Sequence, residues 1–203
     1  LMNISEKISL LNYERDIKWS LPFNKKNAHP ALLLFQGDVY KGISVSDFKK
    51  EDFVFAQKSL RILSGLYGIL KPLDLIQPYR LEMGTQIKIG KHNDLYDFWG
   101  DEITKAINED KNSDYLINLA SVEYFKSINK EKLNSKLINI IFKEKRNGDY
   151  KIIGINAKKA RGLMSRFIIK NKISNPKELK KFKAENYSYN KNLSSGSDWI
   201  FTR

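Results

Sequence analysis

The sequence predicts a mixed α/β (α+β) fold, in which helices flank a central mixed β-sheet. Apolar residues recur at helical spacing over residues 46–63 and 157–170. Short apolar runs of strand length lie at residues 115–119 and 137–142. The string RNGDY at residues 146–150 indicates a hairpin, because Asn-Gly adopts the positive φ angles of a two-residue turn. Helices and strands mixed in this way favour a sheet with helices packed against it.

The first third of the chain is predicted to be mainly helical. Residues 3–19 are interpreted as two short helices around a tight connection at SLLN, residues 9–12. Residues 31–35 are apolar and form either a buried strand or a buried helix. Residues 46–63 are predicted as one helix, with polar capping residues at its start.

The middle of the chain combines strands, a structured loop and a helix. Residues 62–64 are predicted as a short buried strand that leads into a glycine turn and a loop fixed by prolines. Alternating polarity over residues 86–89 indicates a further strand. Residues 95–108 are predicted as one helix, because Tyr96, Trp99 and Ile103 fall on one face.

The last third supplies most of the predicted sheet. Residues 115–119 and 137–142 are predicted as buried strands, and the hairpin pairs the second of them antiparallel with residues 151–155. The helix at 157–170 follows, then a short helix beginning at NPKE and a final strand in WIFTR. Since no repeat or low-complexity linker divides the chain, we expect one domain over residues 1–203.

Composition restricts the classes of function. The net charge is +13 and the pI is near 9.6, a balance that favours polyanionic partners. The chain has no cysteine, which excludes disulfides, zinc–thiolate sites, iron–sulfur clusters and cysteine nucleophiles. No apolar run is long enough to span a membrane, and no signal peptide is visible.

Residues 60–84, LRILSGLYGILKPLDLIQPYRLEMG, are the most informative segment. Glycine and proline interrupt an apolar run that also carries many hydrogen-bonding side chains. A core segment has one periodicity and few polar groups, whereas a surface linker has fewer leucines and isoleucines. A loop with both properties, held by a rigid scaffold, is typical of a functional site.

This segment resembles the family of the bacterial peroxide stress protein YaaA. The resemblance extends over most of the chain through four further strings in the same order. These are FQGDVYKG at 35–42, LYDFWGDEIT at 95–104, INLASVEYFKSI at 117–128 and AKKARGLMSRFI at 157–168.

The resemblance implies a cytoplasmic protein that binds DNA and limits the damage caused when peroxide meets intracellular iron. It implies a helix-hairpin-helix element, which maps to residues 3–19, although SLLN lacks the glycine that such hairpins carry. No cofactor and no membrane are expected. Relatives carry a further N-terminal segment, so we interpret this sequence as lacking it.

The segment at 157–170 is the strongest candidate for nucleic-acid contact. An apolar stripe anchors the helix, and cations lie off that stripe, where they can face phosphate. Gly162 would permit close approach of the anion. The alternative is a solvated basic face. The candidate nucleic-acid-binding residues for double- or single-stranded DNA are Lys158, Lys159, Arg161, Arg166 and Lys170, with Lys126 and Lys130 extending the patch.

Carboxylates raise the question of a metal. Asp97 and Asp101 are one helical turn apart, and oxygen ligands suit a hard divalent cation or iron. Salt bridges to the abundant lysines explain them more simply. We therefore predict no metal site, and an iron-sequestering protein remains a third hypothesis.

The same central segment permits an enzyme hypothesis. Its candidate catalytic residues are Ser64, Tyr67, Asp74, Tyr79 and Glu82. Aromatic rings would hold a nucleobase or nucleoside, and a buried carboxylate would act as a general acid or stabilise an oxocarbenium ion. This glycosidase- or lyase-like activity is the alternative to DNA binding, and it requires a closed pocket with a desolvated carboxylate.

Overall fold

The structure is a computed structural model that describes residues 5–110 and 113–203. Its α-helices, in chain order, are α1 (Glu6–Lys18), α2 (Ala31–Leu34), α3 (Asp38–Ile43), α4 (Lys50–Ser59), α5 (Leu95–Trp99), α6 (Glu102–Glu109), α7 (Val122–Phe125) and α8 (Gly154–Lys170). Its 3-10 helices are Val45–Asp47, Lys130–Lys132 and Pro176–Lys181. Its strands are β1 (His29–Pro30), β2 (Ile62–Ser64), β3 (Gly68–Leu70), β4 (Leu75–Ile76), β5 (Tyr115–Asn118), β6 (Lys136–Arg146), β7 (Asp149–Lys151), β8 (Ser188–Tyr189) and β9 (Asp198–Thr202).

These elements confirm the predicted α/β class. The chain divides into two compact units, and the expectation of one domain over residues 1–203 stays a prediction. One unit contains the described residues of Leu1–Leu34, Leu60–Glu109 and Val122–Leu133, and the other those of Phe35–Ser59, Asp110–Ser121 and Asn134–Arg203. We call them the hairpin unit and the sheet unit.

The sheet unit is built on a mixed sheet in the order β5-β6-β9-β8, with β7 also paired to β6. β5 and β9 run parallel to β6, whereas β7 and β8 pair antiparallel with their neighbours. The long strand β6 alternates between buried and less buried side chains. The predicted hairpin is confirmed, although β7 ends at Lys151 because α8 begins at Gly154.

The core of the sheet unit lies between one face of β6 and helix α8. Ile138, Ile140 and Phe142 alternate along β6 and pack with Ala160 and Met164 of α8. Each of these five side chains is at least nine-tenths buried. Burial of this apolar surface is the main favourable contribution to folding, and it fixes which face of α8 is left for polar contacts.

Helix α3 crosses α8 at two glycines. A Cβ placed on Gly162 would lie 2.0 Å from the carbonyl oxygen of Val39, and one on Gly42 would lie 2.4 Å from the carbonyl oxygen of Lys159. The two backbones are therefore in direct contact, and both glycines are buried. The expectation that Gly162 admits an anion is wrong, because the backbone of α3 occupies that space.

The hairpin unit consists of short elements. β2 pairs antiparallel with β3, which confirms the strand predicted at residues 62–64, and β1 pairs with β4. Met83, Ile103 and Phe125 are among its buried apolar side chains. Within residues 5–110 and 113–203, all helices fall short of the length or the hydrophobicity that crossing a bilayer demands.

The predicted helix-hairpin-helix element is wrong for the residues that the structure describes. α1 is continuous from Glu6 to Lys18, with no break over residues 9–12; residues 1–4 lie outside the described residues. Neither glycine nor proline interrupts this stretch. Asn12 is accommodated in the helix because its side-chain amide donates to the carbonyl oxygen of Ile8 at 2.8 Å.

Three further predicted elements differ in the structure. The helix predicted over residues 46–63 is shorter, because α4 runs only from Lys50 to Ser59 and the last predicted residues belong to β2. The helix predicted over residues 95–108 is divided into α5 and α6, because Gly100 takes a positive φ of 47° that ends α5. The strand predicted over residues 86–89 is a loop in which Ile89 and His92 exchange two backbone hydrogen bonds of 3.0 Å. The chain turns back on itself between these two residues. The alternating polarity of residues 86–89 therefore belongs to a bend and not to a strand.

The glycine crossing yields a stability prediction. We expect Gly162→Ala to lower the free energy of unfolding by about 2 kcal/mol, because the new methyl group must displace the backbone of α3. Gly154→Ala is the matched control in the same helix, since nothing lies within 4 Å of its added Cβ. That control should be neutral or stabilising by up to about 1 kcal/mol. Urea unfolding of both variants measures the difference, and equal effects would contradict the crossing.

Candidate nucleic-acid interface

Helix α8 carries five of the predicted nucleic-acid-binding cations. Its core face holds the buried Ala160 and Met164, and the cations lie off that face, as expected. Lys158 and Lys159 are exposed, whereas Arg161, Arg166 and Lys170 are half-buried. The partners of each cation decide whether its charge is available to a ligand.

Arg166 makes all its described contacts within the sheet unit. Its guanidinium donates to the carbonyl oxygen of Ile43 at 3.1 Å and to the Oδ2 atom of Asp47 at 2.5 Å. It also donates to the carbonyl oxygen of Ser44, and it lies over the ring of Phe48. The hydrogen bond from Arg166 holds the pKa of Asp47 below its usual range. These contacts give Arg166 a structural role.

Lys170 is bound by the same acidic region. Its Nζ atom lies 3.1 Å from the Oδ2 atom of Asp52, which also accepts from Lys172. Asp52 is buried on α4, and the backbone N–H of Lys49 donates to it at 2.9 Å. These hydrogen bonds, Lys172 first, hold the pKa of Asp52 far below its usual range despite burial.

Lys159 and Lys126 also have neighbours. The Nζ atom of Lys159 lies 2.7 Å from Oε1 of Glu185, a contact between exposed side chains. Lys126 belongs to the hairpin unit, where its Nζ atom lies 4.5 Å from the centroid of the Tyr96 ring. Lys130 lies 5.5 Å from the Phe125 ring in the same unit. The positive charges of Lys126 and Lys130 are thus not cancelled by these contacts.

Lys158 and Arg161 differ from the other cations of α8. Among residues 5–110 and 113–203, neither side chain has a hydrogen-bond, ion-pair or aromatic-ring partner. Burial lowers the pKa of Arg161, because no described carboxylate compensates its charge. No described opposite charge offsets the desolvation of this half-buried guanidinium. Arg161 is therefore the position on α8 best prepared to bind an anion.

Three of the five candidate catalytic residues lie together in the hairpin unit. Ser64 is buried at the end of β2, and its Oγ atom lies 2.5 Å from the hydroxyl of Tyr79. The backbone N–H of Tyr67 donates to the same Oγ atom at 2.9 Å. The rings of Tyr67 and Tyr79 meet edge to face with centroids 5.3 Å apart. Burial raises the pKa of Tyr79, so its hydroxyl stays protonated.

The two carboxylates of the enzyme hypothesis have described partners outside this cluster. Asp74 closes a turn, because its Oδ2 atom accepts a hydrogen bond from the backbone N–H of Lys71 at 2.8 Å. Glu82 is exposed and lies 3.1 Å from the guanidinium of Arg80. Since neither carboxylate is desolvated beside the tyrosines, the geometry does not support a general acid in this segment.

The carboxylates considered for metal binding have different partners. Asp97 accepts from the backbone N–H of Asn93, whereas Asp101 binds Lys132 and Asn129. Across the described ranges 5–110 and 113–203, no three His, Asp or Glu side chains converge in a way that would hold a metal ion.

Sequence reasoning missed Asp47 and Asp52 as the acids that bind the cations of α8. Asp52 lies 118 and 120 residues from its two lysine partners, so no local spacing reveals the contact. The one available signal was an aspartate on the otherwise apolar face of a predicted helix. A buried charge at such a position demands a partner.

Asp52 gives a prediction for acid stability. Its depressed pKa stabilises the fold above the ordinary aspartate pKa of about 3.9, and this stabilisation is lost as the pH falls toward the folded pKa. Asp52→Asn should therefore lower the urea midpoint by a constant amount from pH 5 to 8. The deficit should shrink below about pH 4. A deficit that stayed unchanged down to pH 2 would contradict the proposed ionic role.

Comparison with known proteins agrees with the resemblance in the sequence. The profile of the family described as peroxide stress protein YaaA matches residues 1–193. A UPF0246 protein of Acaryochloris marina is 55% identical over 204 residues, which cover 100% of this chain and 81% of the relative. UPF0246 proteins of Saccharophagus degradans and Colwellia psychrerythraea are 54% and 52% identical, covering 100% of this chain and 80% of each relative. This chain belongs to the peroxide stress protein YaaA family.

Proposed function

We propose that this chain is a cytoplasmic DNA-binding stress protein that limits damage by hydrogen peroxide and iron. The observation that carries the proposal is the pair Lys158 and Arg161, whose charges no described acid of the chain neutralises. DNA is the intracellular polyanion whose phosphates would complete them. Because these contacts are to phosphate, the binding has little sequence preference.

Charge at two scales supports this function. The net charge of +13 attracts a polyanion at long range and speeds encounter. At short range, a guanidinium binds phosphate through two parallel hydrogen bonds, and Lys158 adds a point charge one turn earlier in α8. The energetic cost of half-burying Arg161 is offset only when an anion arrives, which favours the bound state.

The same chemistry links DNA binding to iron. DNA carries a condensed layer of cations, and a protein that neutralises phosphates releases them. Ferrous iron is such a cation, so a bound protein lowers the amount of iron held against the DNA. Peroxide then meets less iron where its products would attack bases and sugars.

The enzyme alternative is not carried forward. It required a closed pocket with a desolvated carboxylate near Tyr67 and Tyr79, and Asp74 and Glu82 are engaged elsewhere in the hairpin unit. The tyrosine cluster around Ser64 is satisfied by its own hydrogen bonds.

Adjacent lysines provide a matched test of DNA binding. Lys158 and Lys159 are both exposed, and Lys159 differs in being neutralised by Glu185. We expect Lys158→Gln to weaken duplex binding about fivefold at low salt, since it removes one phosphate contact. Lys159→Gln should change it less than twofold. Fluorescence anisotropy measures both, and equal losses would show that pairing within the chain does not decide which cations bind.

Arg161 supplies a second test that separates binding from folding. Arg161→Met keeps an unbranched apolar stem and removes a half-buried charge. We expect about tenfold weaker DNA binding together with an unchanged or higher unfolding temperature. A large drop in that temperature with unaltered DNA affinity would assign Arg161 a structural role and remove it from the interface.

A further inference from the structure

A groove lies along α4 in the sheet unit, and Lys172 is the one lining residue already described. Its volume is about 430 Å³, and its lining residues are Lys50, Glu51, Val54, Phe55, Lys58 and Lys172. Five of the six come from one helix of ten residues. The groove therefore has a fixed backbone along its length, which suits an extended ligand.

The helical period sets the pattern of this surface. Lys50, Val54 and Lys58 are four residues apart and form one stripe, with ammonium groups at both ends. Val54 between them is 47% exposed, which is high for an apolar side chain on a helix. Lys50 has no side-chain partner among the described residues.

The floor of the groove is aromatic and rests on a charged cluster. Lys172 lies 5.7 Å from the centroid of the Phe55 ring and is held in place by Asp52. In this cluster Arg166, Lys170 and Lys172 face two carboxylates, those of Asp47 and Asp52. Three cations against two carboxylates leave one positive charge in excess, so the potential behind the floor also favours an anion.

We infer that this groove binds single-stranded DNA, with phosphates on Lys50 and Lys58 and a base or sugar against Val54 and Phe55. The inference rests on the proposed DNA binding and goes beyond it, because it adds a second site that takes unpaired DNA. A duplex offers phosphates but keeps its bases stacked inside, whereas an unpaired strand offers both phosphates and apolar base faces. A stripe on which basic and apolar side chains alternate therefore matches an unpaired strand and not a duplex.

Glu51 sharpens the inference, because its carboxylate also lines the groove. Like charges repel, so Glu51 opposes a phosphate bound beside Lys50. Removing this charge should improve binding if phosphate occupies the groove. A gain of affinity by a single exposed substitution cannot result from unfolding.

The test compares a labelled twelve-nucleotide oligothymidine with a duplex of equal length, by anisotropy at several salt concentrations. We expect Lys50→Gln/Lys58→Gln to weaken single-strand binding at least tenfold and to flatten the salt slope by about 1.4. Phe55→Leu should weaken it about fivefold, and Glu51→Gln should strengthen it about twofold. Lys177→Gln/Lys191→Gln removes two exposed lysines that do not line the groove, and should cost less than threefold.

The binding results separate the groove, the preference for unpaired DNA and the proposed function from one another. Equal losses in the groove variant and the Lys177→Gln/Lys191→Gln control, with the parent protein still binding DNA, would overturn the groove and leave the proposed function intact. Equal losses for single strand and duplex in the groove variant would overturn the assignment to unpaired DNA. A parent protein that binds neither ligand at low salt would overturn the proposed function and this inference together.

Discussion

The close crossing of α3 and α8 at Gly42 and Gly162 is the contact on which the arrangement of charges depends. Because neither residue has a side chain, the carbonyl oxygen of Val39 reaches the backbone of α8. This proximity presents the carbonyl oxygen of Ile43 to Arg166, 3.1 Å away. The segment after α3 then supplies Asp47, and α4 supplies Asp52, the two acids that bind the end of α8.

The crossing divides the cations of one helix into two groups with different roles. Arg166 and Lys170, in the last two turns, are neutralised by Asp47 and Asp52, and the contact between Lys170 and Asp52 holds α4 against α8. Lys158 and Arg161, in the first half, keep their charge uncompensated by any described side chain. A basic helix is thus both a structural element and a candidate binding surface, and its composition alone does not distinguish the two.

The sequence predicted elements whose signals are local. The helix at α8, the strand β2 and the hairpin between β6 and β7 were all predicted, because period, apolar runs and Asn-Gly act over a few residues. The continuity of α1 and the break at Gly100 were not, since a serine or glycine inside an apolar repeat fits either outcome. The partner of Arg166 lies 119 residues away, so no spacing in the sequence identifies it.

The prediction of the candidate site has the same limit. All five cations of α8 were named from the sequence, and their positions off the core face were correct. Acids supplied by α4 and by the segment after α3 decide which of these cations are neutralised. That pairing follows from tertiary packing. Packing also explains why the space beside Gly162, which was expected to admit an anion, is filled by the backbone of α3.

The proposed function requires that cations left unneutralised by the described residues bind the phosphates of DNA. Its most direct test is the affinity of the parent protein for DNA across a series of salt concentrations. We expect the logarithm of the association constant to fall linearly with the logarithm of salt concentration, by about 0.9 per duplex phosphate contacted. An affinity that stayed constant between low and moderate salt would contradict it.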